Sequence, residues 1–215
     1  QLREVLALHV VNHVMKSRTV IMRNNLRLKK DPTVEARDQG FTRCKCLILL
    51  PTRAAAYRFV KLLLRLFPGA HAPKGRVDNL ARFRAEFGPG SAAERADDRK
   101  KLMRVGMDHW ERFEGNMEDH FRLGVQLHPK FARLYAPFYS ADVIVASPLG
   151  LRMIVRAAGE KGREYDFLSS VEVLCVDQAE HLLMQNWEHV LTAIDAMNKA
   201  PFRSRGADFS RVREA

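Results

Sequence analysis

Three observations predict an α/β fold with a RecA-like, mostly parallel sheet flanked by helices. Short apolar runs recur at 44–50, 141–146 and 171–176, the last of them β-branched. Each run ends in polar residues, and each is followed by apolar residues at helical spacing. Such runs read as strands buried on both faces, and their alternation with helices implies parallel neighbours joined by right-handed crossovers.

The elements follow in chain order. Residues 2–30 carry Leu2, Val5, Leu6, Val10, Val11 and Val14 at mostly helical spacing, with Lys16, Arg18, Arg23 and Arg27 on the expected wet side. This is an N-terminal helical segment, followed by a polar loop to Gly40. The main lobe is expected over 41–198. Its first strand (44–50) runs into Pro51-Thr52-Arg53 and a helix over about 54–66, stopped by Phe67-Pro68-Gly69. A loop-rich insertion is expected at about 69–119, with a short helix near 79–87, another packed by Trp110 and Phe113, and a turn at 116–119. Residues 121–127 are a further strand candidate, and 128–138 read as helix or coil. The strand at 141–146 leads into Ser147-Pro148-Leu149-Gly150-Leu151-Arg152 and another helix. Residues 159–170 form a charged loop, the strand at 171–176 follows, and two helical stretches reach 198. Residues 199–215 are a polar, basic arm or the start of a linker, with Phe202 and Phe209 as candidate anchors.

Composition narrows the function. The chain has 215 residues and is 47% hydrophobic, enough for a proper core. It carries 36 Lys+Arg against 25 Asp+Glu, a net charge of +11. That excess favours a polyanionic partner, nucleic acid before an acidic membrane surface, with acidic proteins as the alternative. No apolar run is long enough to span a bilayer. The chain opens on Gln1 rather than Met and has the look of part of a longer protein. Three cysteines do not make a disulfide framework, and Cys44-x-Cys46 lacks the second Cys/His pair that a zinc site needs. No metal is expected, and a reducing compartment is.

The chemistry-bearing residues sit at the strand tips. Asp177 ends the run at 171–176, where open α/β sheets bind ligands. Its neighbour is Gln178, an amide that can orient a water but cannot take its proton. A phosphate-cradling loop needs glycines followed by Lys and Ser/Thr, and Gly40 is the first glycine of these residues. Lys16-Ser17 is therefore read as part of a solvated helix. Thr52 and Arg53 stand where a strand feeds a helix N-terminus, and Ser147, Gly150 and Arg152 repeat the arrangement. Amides, a hydroxyl and a guanidinium together form an anion site. The alternative is that these residues cap helices and meet solvent.

Pro51-Thr52-Arg53, Ser147-Pro148-Leu149-Gly150 and Val176-Asp177-Gln178-Ala179-Glu180, in this order, resemble the first RecA-like domain of DEAD-box RNA helicases. The resemblance implies that the first two elements grip an RNA backbone and that Asp177, Gln178 and Glu180 form a degenerate nucleotide and Mg²⁺ site. Gln178 stands at the catalytic Glu position and Glu180 at that of the last Asp, and the Ser147 element is one residue longer before Arg152. Leu8-His9-Val10-Val11-Asn12-His13-Val14, the 142–152 stretch, Gln185-Asn186-Trp187-Glu188-His189-Val190 and Asp208-Phe209-Ser210-Arg211-Val212-Arg213 resemble a narrower group, the digestive organ expansion factor family. Its fungal counterpart is the twenty-fifth of the U-three snoRNA-associated proteins. That resemblance implies a nucleolar, non-catalytic component of the small-subunit processome, which matures pre-18S rRNA. The partners it implies are pre-rRNA or snoRNA and neighbouring processome proteins, with no membrane. It implies no cofactor, and a second lobe outside this sequence. The alternatives are an ATP- and Mg²⁺-dependent RNA helicase, or a protein-binding scaffold.

Overall fold

The computed structural model describes residues 1–90, 115–156, 159–203 and 205–213. The expected helix packed by Trp110 and Phe113 lies outside them.

Helix α1 (Leu2–Lys30) is one continuous helix whose first half buries Ala7, Val10, Val11 and Val14. Strand β1 (Cys46–Leu49) is buried throughout and leads into α2 (Arg53–Leu66). Inside α2, Ala55, Ala56, Phe59, Val60, Leu63 and Leu64 recur at i, i+4 spacing and face the sheet. A short helix α3 (Pro68–His71), strand β2 (Arg76–Asp78) and helix α4 (Leu80–Phe87) follow. Strands β3 (Arg122–His128) and β4 (Phe131–Leu134) form a hairpin. Strand β5 (Val143–Ala146) feeds α5 (Pro148–Val155). Strand β6 (Val173–Val176) precedes α6 (Ala179–Met184) and α7 (Trp187–Ala196).

The six strands form one sheet in the order β2-β4-β3-β5-β1-β6. β1 lies parallel to both β5 and β6, and β2 is parallel to β4. The sheet is mixed, because β3 runs antiparallel to β4 and to β5. The connections explain this. A two-residue turn, Pro129-Lys130, can join only antiparallel strands, whereas a parallel pair needs a crossover of a dozen residues or more. Residues 128–138, read from sequence as helix or coil, therefore contain β4. Ala132 and Leu134 point into the core while Phe131 and Arg133 are less buried, a period-two alternation over only four residues. β2, within the expected loop-rich stretch, is likewise too short to show a period.

Alternation along β1 and β5 builds two cores. Cys46, Ile48, Val143 and Val145 join α1, α2 and α4 on one face. Leu47, Leu49, Ile144 and Ala146 join α5, α6 and α7 on the other. The register levels the strand tips. Leu49 pairs with both Ala146 and Val176. Leu50, Ser147 and Asp177 therefore leave the sheet side by side on one rim.

The opposite rim is locked by Asp142, 2% exposed. Its carboxylate accepts from Arg43 Nε and Nη2 at 2.8 and 2.9 Å and from the Leu127 amide at 2.7 Å. The C-terminal arm docks along this side. Arg211 Nη2 donates to both carboxylate oxygens of buried Asp38 at 2.8 Å, and Gln39 bridges to Val212. Phe202 and Phe209, the expected anchors, touch Tyr165 and Phe41 but stay mostly exposed. The arm is held by polar groups instead, including the amides of Phe202 and Arg203, which donate to Asp166.

Candidate nucleic-acid interface at the strand tips

The rim gathers every site residue singled out from the sequence. Thr52 caps α2, its Oγ1 accepting from the Ala55 amide at 3.2 Å, and is 2% exposed. The next amides of α2 serve the chain itself. Arg53 N–H donates to Glu118 O at 2.9 Å, and Ala54 N–H to Asn116 O at 2.8 Å. The Arg53 guanidinium bridges to the Glu118 carboxylate at 2.9 Å and to the carbonyls of His120 and Glu86 at 3.3 Å. It also lies 5.3 Å from the centre of the Phe87 ring. Arg53 thus pins the segment leading into β3, with 21% of its side chain exposed.

Ser147 plays the matching part for α5. Its Oγ accepts from the Gly150 amide at 2.9 Å and exchanges hydrogen bonds with the Phe121 backbone at 3.3 Å. Gly150 is buried, and a Cβ there would stand 2.2 Å from Phe121 O. Its missing side chain is what lets β3 approach α5. Arg152 points outward. Its two terminal nitrogens donate to Glu160 at 2.7 and 3.3 Å, and that pair raises the arginine's pKa. Of the five candidate RNA contacts, Thr52, Ser147 and Gly150 are engaged in buried capping and packing, while Arg53 and Arg152 hold carboxylates at the surface.

At the tip of β6, Asp177 Oδ2 accepts from Arg3 Nε at 2.7 Å, and Oδ1 accepts from the Gln178 amide at 3.0 Å. Gln178 adopts the left-handed region, φ 59 and ψ 47, a conformation uncommon outside glycine. Its buried Nε2 has no partner among the described residues. Glu180 is exposed in the first turn of α6, where its charge suits the helix dipole. These residues do not fit a Mg²⁺-bound nucleotide. A hard cation needs oxygen ligands, and here an arginine holds the Asp177 carboxylate while the neighbouring amide presents a buried donor. No cluster of three or more His, Cys, Asp or Glu among the described residues could hold a metal. Arg3 was missed in the sequence reading. Its pairing spans 174 residues, and no local pattern marks one basic residue at the start of a helix for a strand tip.

The Cys46 and Cys175 thiols lie in the sheet, and Cys44 is buried just before β1. Burial pushes Cys46 up to about 12 and Cys175 up to about 11, and raises Cys44 further. All three are free. No helix among the described residues is long and apolar enough to cross a membrane.

Comparison with known proteins agrees with this architecture. Residues 1–215 match the family described as UTP25, NTP hydrolase-like domain. A human protein named U3 small nucleolar RNA-associated protein 25 homolog is 45% identical over 218 residues, covering 99% of this chain and 28% of its own length. The Schizosaccharomyces pombe U3 small nucleolar RNA-associated protein 25 is 44% identical over 209 residues, covering 97% of this chain and 30% of its own. That of Clavispora lusitaniae is 45% identical over 222 residues, covering 98% and 30%. The chain therefore spans less than a third of these relatives. No solved structure matches it. Matched from end to end by an NTP hydrolase-like domain, and built on a six-stranded α/β sheet, the chain belongs to the UTP25 family.

Proposed function

We propose that this domain serves ribosome biogenesis in the nucleolus, as a non-catalytic RecA-like module of the small-subunit processome that binds RNA and neighbouring proteins in pre-18S rRNA maturation. The relatives' printed names, which associate them with the U3 small nucleolar RNA, support the setting. The observation that carries the non-catalytic reading is the 2.7 Å Arg3–Asp177 pair. The carboxylate that would hold Mg²⁺ in a working helicase lobe is already neutralised from within the chain. Gln178 beside it cannot accept a proton from water, which supports a role without ATP hydrolysis.

RNA contact at the rim goes through Arg53 and Arg152, with Thr52, Ser147 and Gly150 holding the helix starts that present them. Arg152 exchanges a half-exposed carboxylate partner for a phosphate at small cost, since exposed ion pairs contribute little. The test is the affinity of the whole protein for single-stranded RNA across a salt series. Backbone binding predicts a steep linear fall of log K against log salt, with Arg152→Gln lowering the slope by about 0.7. A flat salt response, or one unchanged by the substitution, contradicts RNA contact at the rim and favours a protein scaffold. A second reading, an RNA-stimulated ATPase, rests on the unpartnered Gln178 Nε2, a buried donor beside Asp177 that lacks an acceptor among the described residues.

A further inference from the structure

The rim opposite the strand tips carries a cleft of about 380 Å³. Its walls are the second half of α1, the segment 39–45 that leads into β1, and the C-terminal arm at Arg205, Gly206 and Ala207. Arg18, Arg43, Lys45 and Arg205 all line it, against Asp142 as the only lining carboxylate among the described residues.

Charge counting singles out one of the four cations. Arg43 holds Asp142 through two hydrogen bonds, Lys45 Nζ donates to Glu172 at 2.7 Å, and Arg205 Nη2 donates to Glu164 at 2.8 Å. Arg18 is left with Asp142 at 3.7 Å, a carboxylate Arg43 already occupies. Glu172 in turn is shared with His13 and with Arg213. The cleft therefore keeps a surplus positive charge, and Arg18 carries it. The Arg18 Nε is buried and has no hydrogen-bond partner among the described residues. A buried guanidinium donor without an acceptor is costly, which marks it as waiting for one. Burial, then the Arg43 charge, act against the charged form of Arg18, and Asp142 only partly offsets them. The same field reaches His128, held below its ordinary value by burial first and then by Arg18, Arg43 and Lys130.

We infer that this cleft is a second anion site, in which Arg18, flanked by Arg43, Lys45 and Arg205, takes a phosphate group. The planar guanidinium fork suits a phosphate's paired oxygens. The site stands apart from the helicase-like rim, so its occupation does not depend on Arg53 or Arg152 touching RNA. Its phosphate is either that of a free nucleotide or a phosphodiester of an RNA strand crossing the back of the sheet, and the chain's net +11 suits the second source.

The experiment compares the whole protein with its Arg18→Gln variant. Arg18→Gln leaves the Arg43–Asp142 lock in place, and a denaturation curve confirms its fold. Arg205→Gln, on the arm, is the second variant should the first fail to fold. The probes are inorganic phosphate, uridine 5′-monophosphate, a fluorescent uridine 12-mer, and a glutamate-rich peptide. The inference predicts that Arg18→Gln weakens at least one phosphate-bearing probe by about tenfold, as removal of a charged hydrogen-bond donor does. Loss confined to phosphate and the mononucleotide identifies a free phosphate ligand, and loss of the 12-mer identifies an RNA backbone. A folded variant that binds every phosphate probe as the parent does overturns the inference. So does a parent that binds none of them, or an Arg18 dependence shown by the acidic peptide alone. If the 12-mer responds to Arg152→Gln while no phosphate-bearing probe responds to Arg18→Gln, this site fails while the rim survives.

Discussion

At the residue scale, Gly150 shows how little room the rim leaves. A Cβ would meet the Phe121 carbonyl oxygen at 2.2 Å, a backbone atom that cannot step aside cheaply. Gly150→Ala is expected to destabilise the domain by about 1–3 kcal/mol. Chemical denaturation of the variant beside its parent checks this, and equal midpoints would show that β3 yields to the intruding methyl. The sequence made Gly150 legible as a site residue through its place in a strand-tip motif. It could not show that the reason is packing, because Phe121 lies 29 positions earlier and reaches Gly150 only through the β3–β5 pairing. Arg3 and Arg18 were illegible for the same kind of reason. Both sit on a helix whose basic residues all look solvated, and only the fold shows which meet a carboxylate and which meet a cleft.

At the element scale, amphipathic spacing made α2 and the buried β1 and β5 readable. Six of the fourteen residues of α2 repeat on one face, and β1 and β5 are continuous apolar runs. β4 and β2 were not readable, because Phe131–Leu134 and Arg76–Asp78 are interrupted by charged residues and too short to show a period of two. The direction of β3 was set by a two-residue turn that leaves no periodic signal. A further element-scale link is Glu172, which joins α1 through His13, the entry to β1 through Lys45, and the arm through Arg213. Burial pushes its carboxyl up, but Lys45, His13 and Arg213 outweigh that and leave it below the ordinary 4.5. A lowered folded-state pKa means a contribution present above the unfolded value and lost as pH falls through the folded one. The stability gap between the parent and Glu172→Gln should therefore be full near neutrality and close at a pH below about 4.5. Denaturation midpoints across that range test the linkage, and a gap that persists into strong acid would assign the effect to lost packing.

At the scale of the whole molecule, one sheet presents two polar rims. The rim at the C-terminal ends of β1, β5 and β6 bears the helicase-like motifs, and the sequence located it because motif and strand end coincide. What those residues do there was only half visible. The motif order announced a nucleotide and RNA site, while the structure places Arg3 on Asp177 and turns Thr52 and Ser147 inward as helix caps. The opposite rim, with its arginine cleft, left no trace in the sequence beyond the net charge. The proposed non-catalytic role turns on the Asp177 tip, where Arg3 occupies the carboxylate. Its most direct test is ATP binding and RNA-stimulated hydrolysis by the whole protein, beside an Asp177→Ala control. The account predicts no turnover above the control and the same weak or absent ATP binding in both. Hydrolysis that RNA stimulates and that Asp177→Ala abolishes would contradict it, and would mean that Arg3 yields its place to Mg²⁺ in a working site.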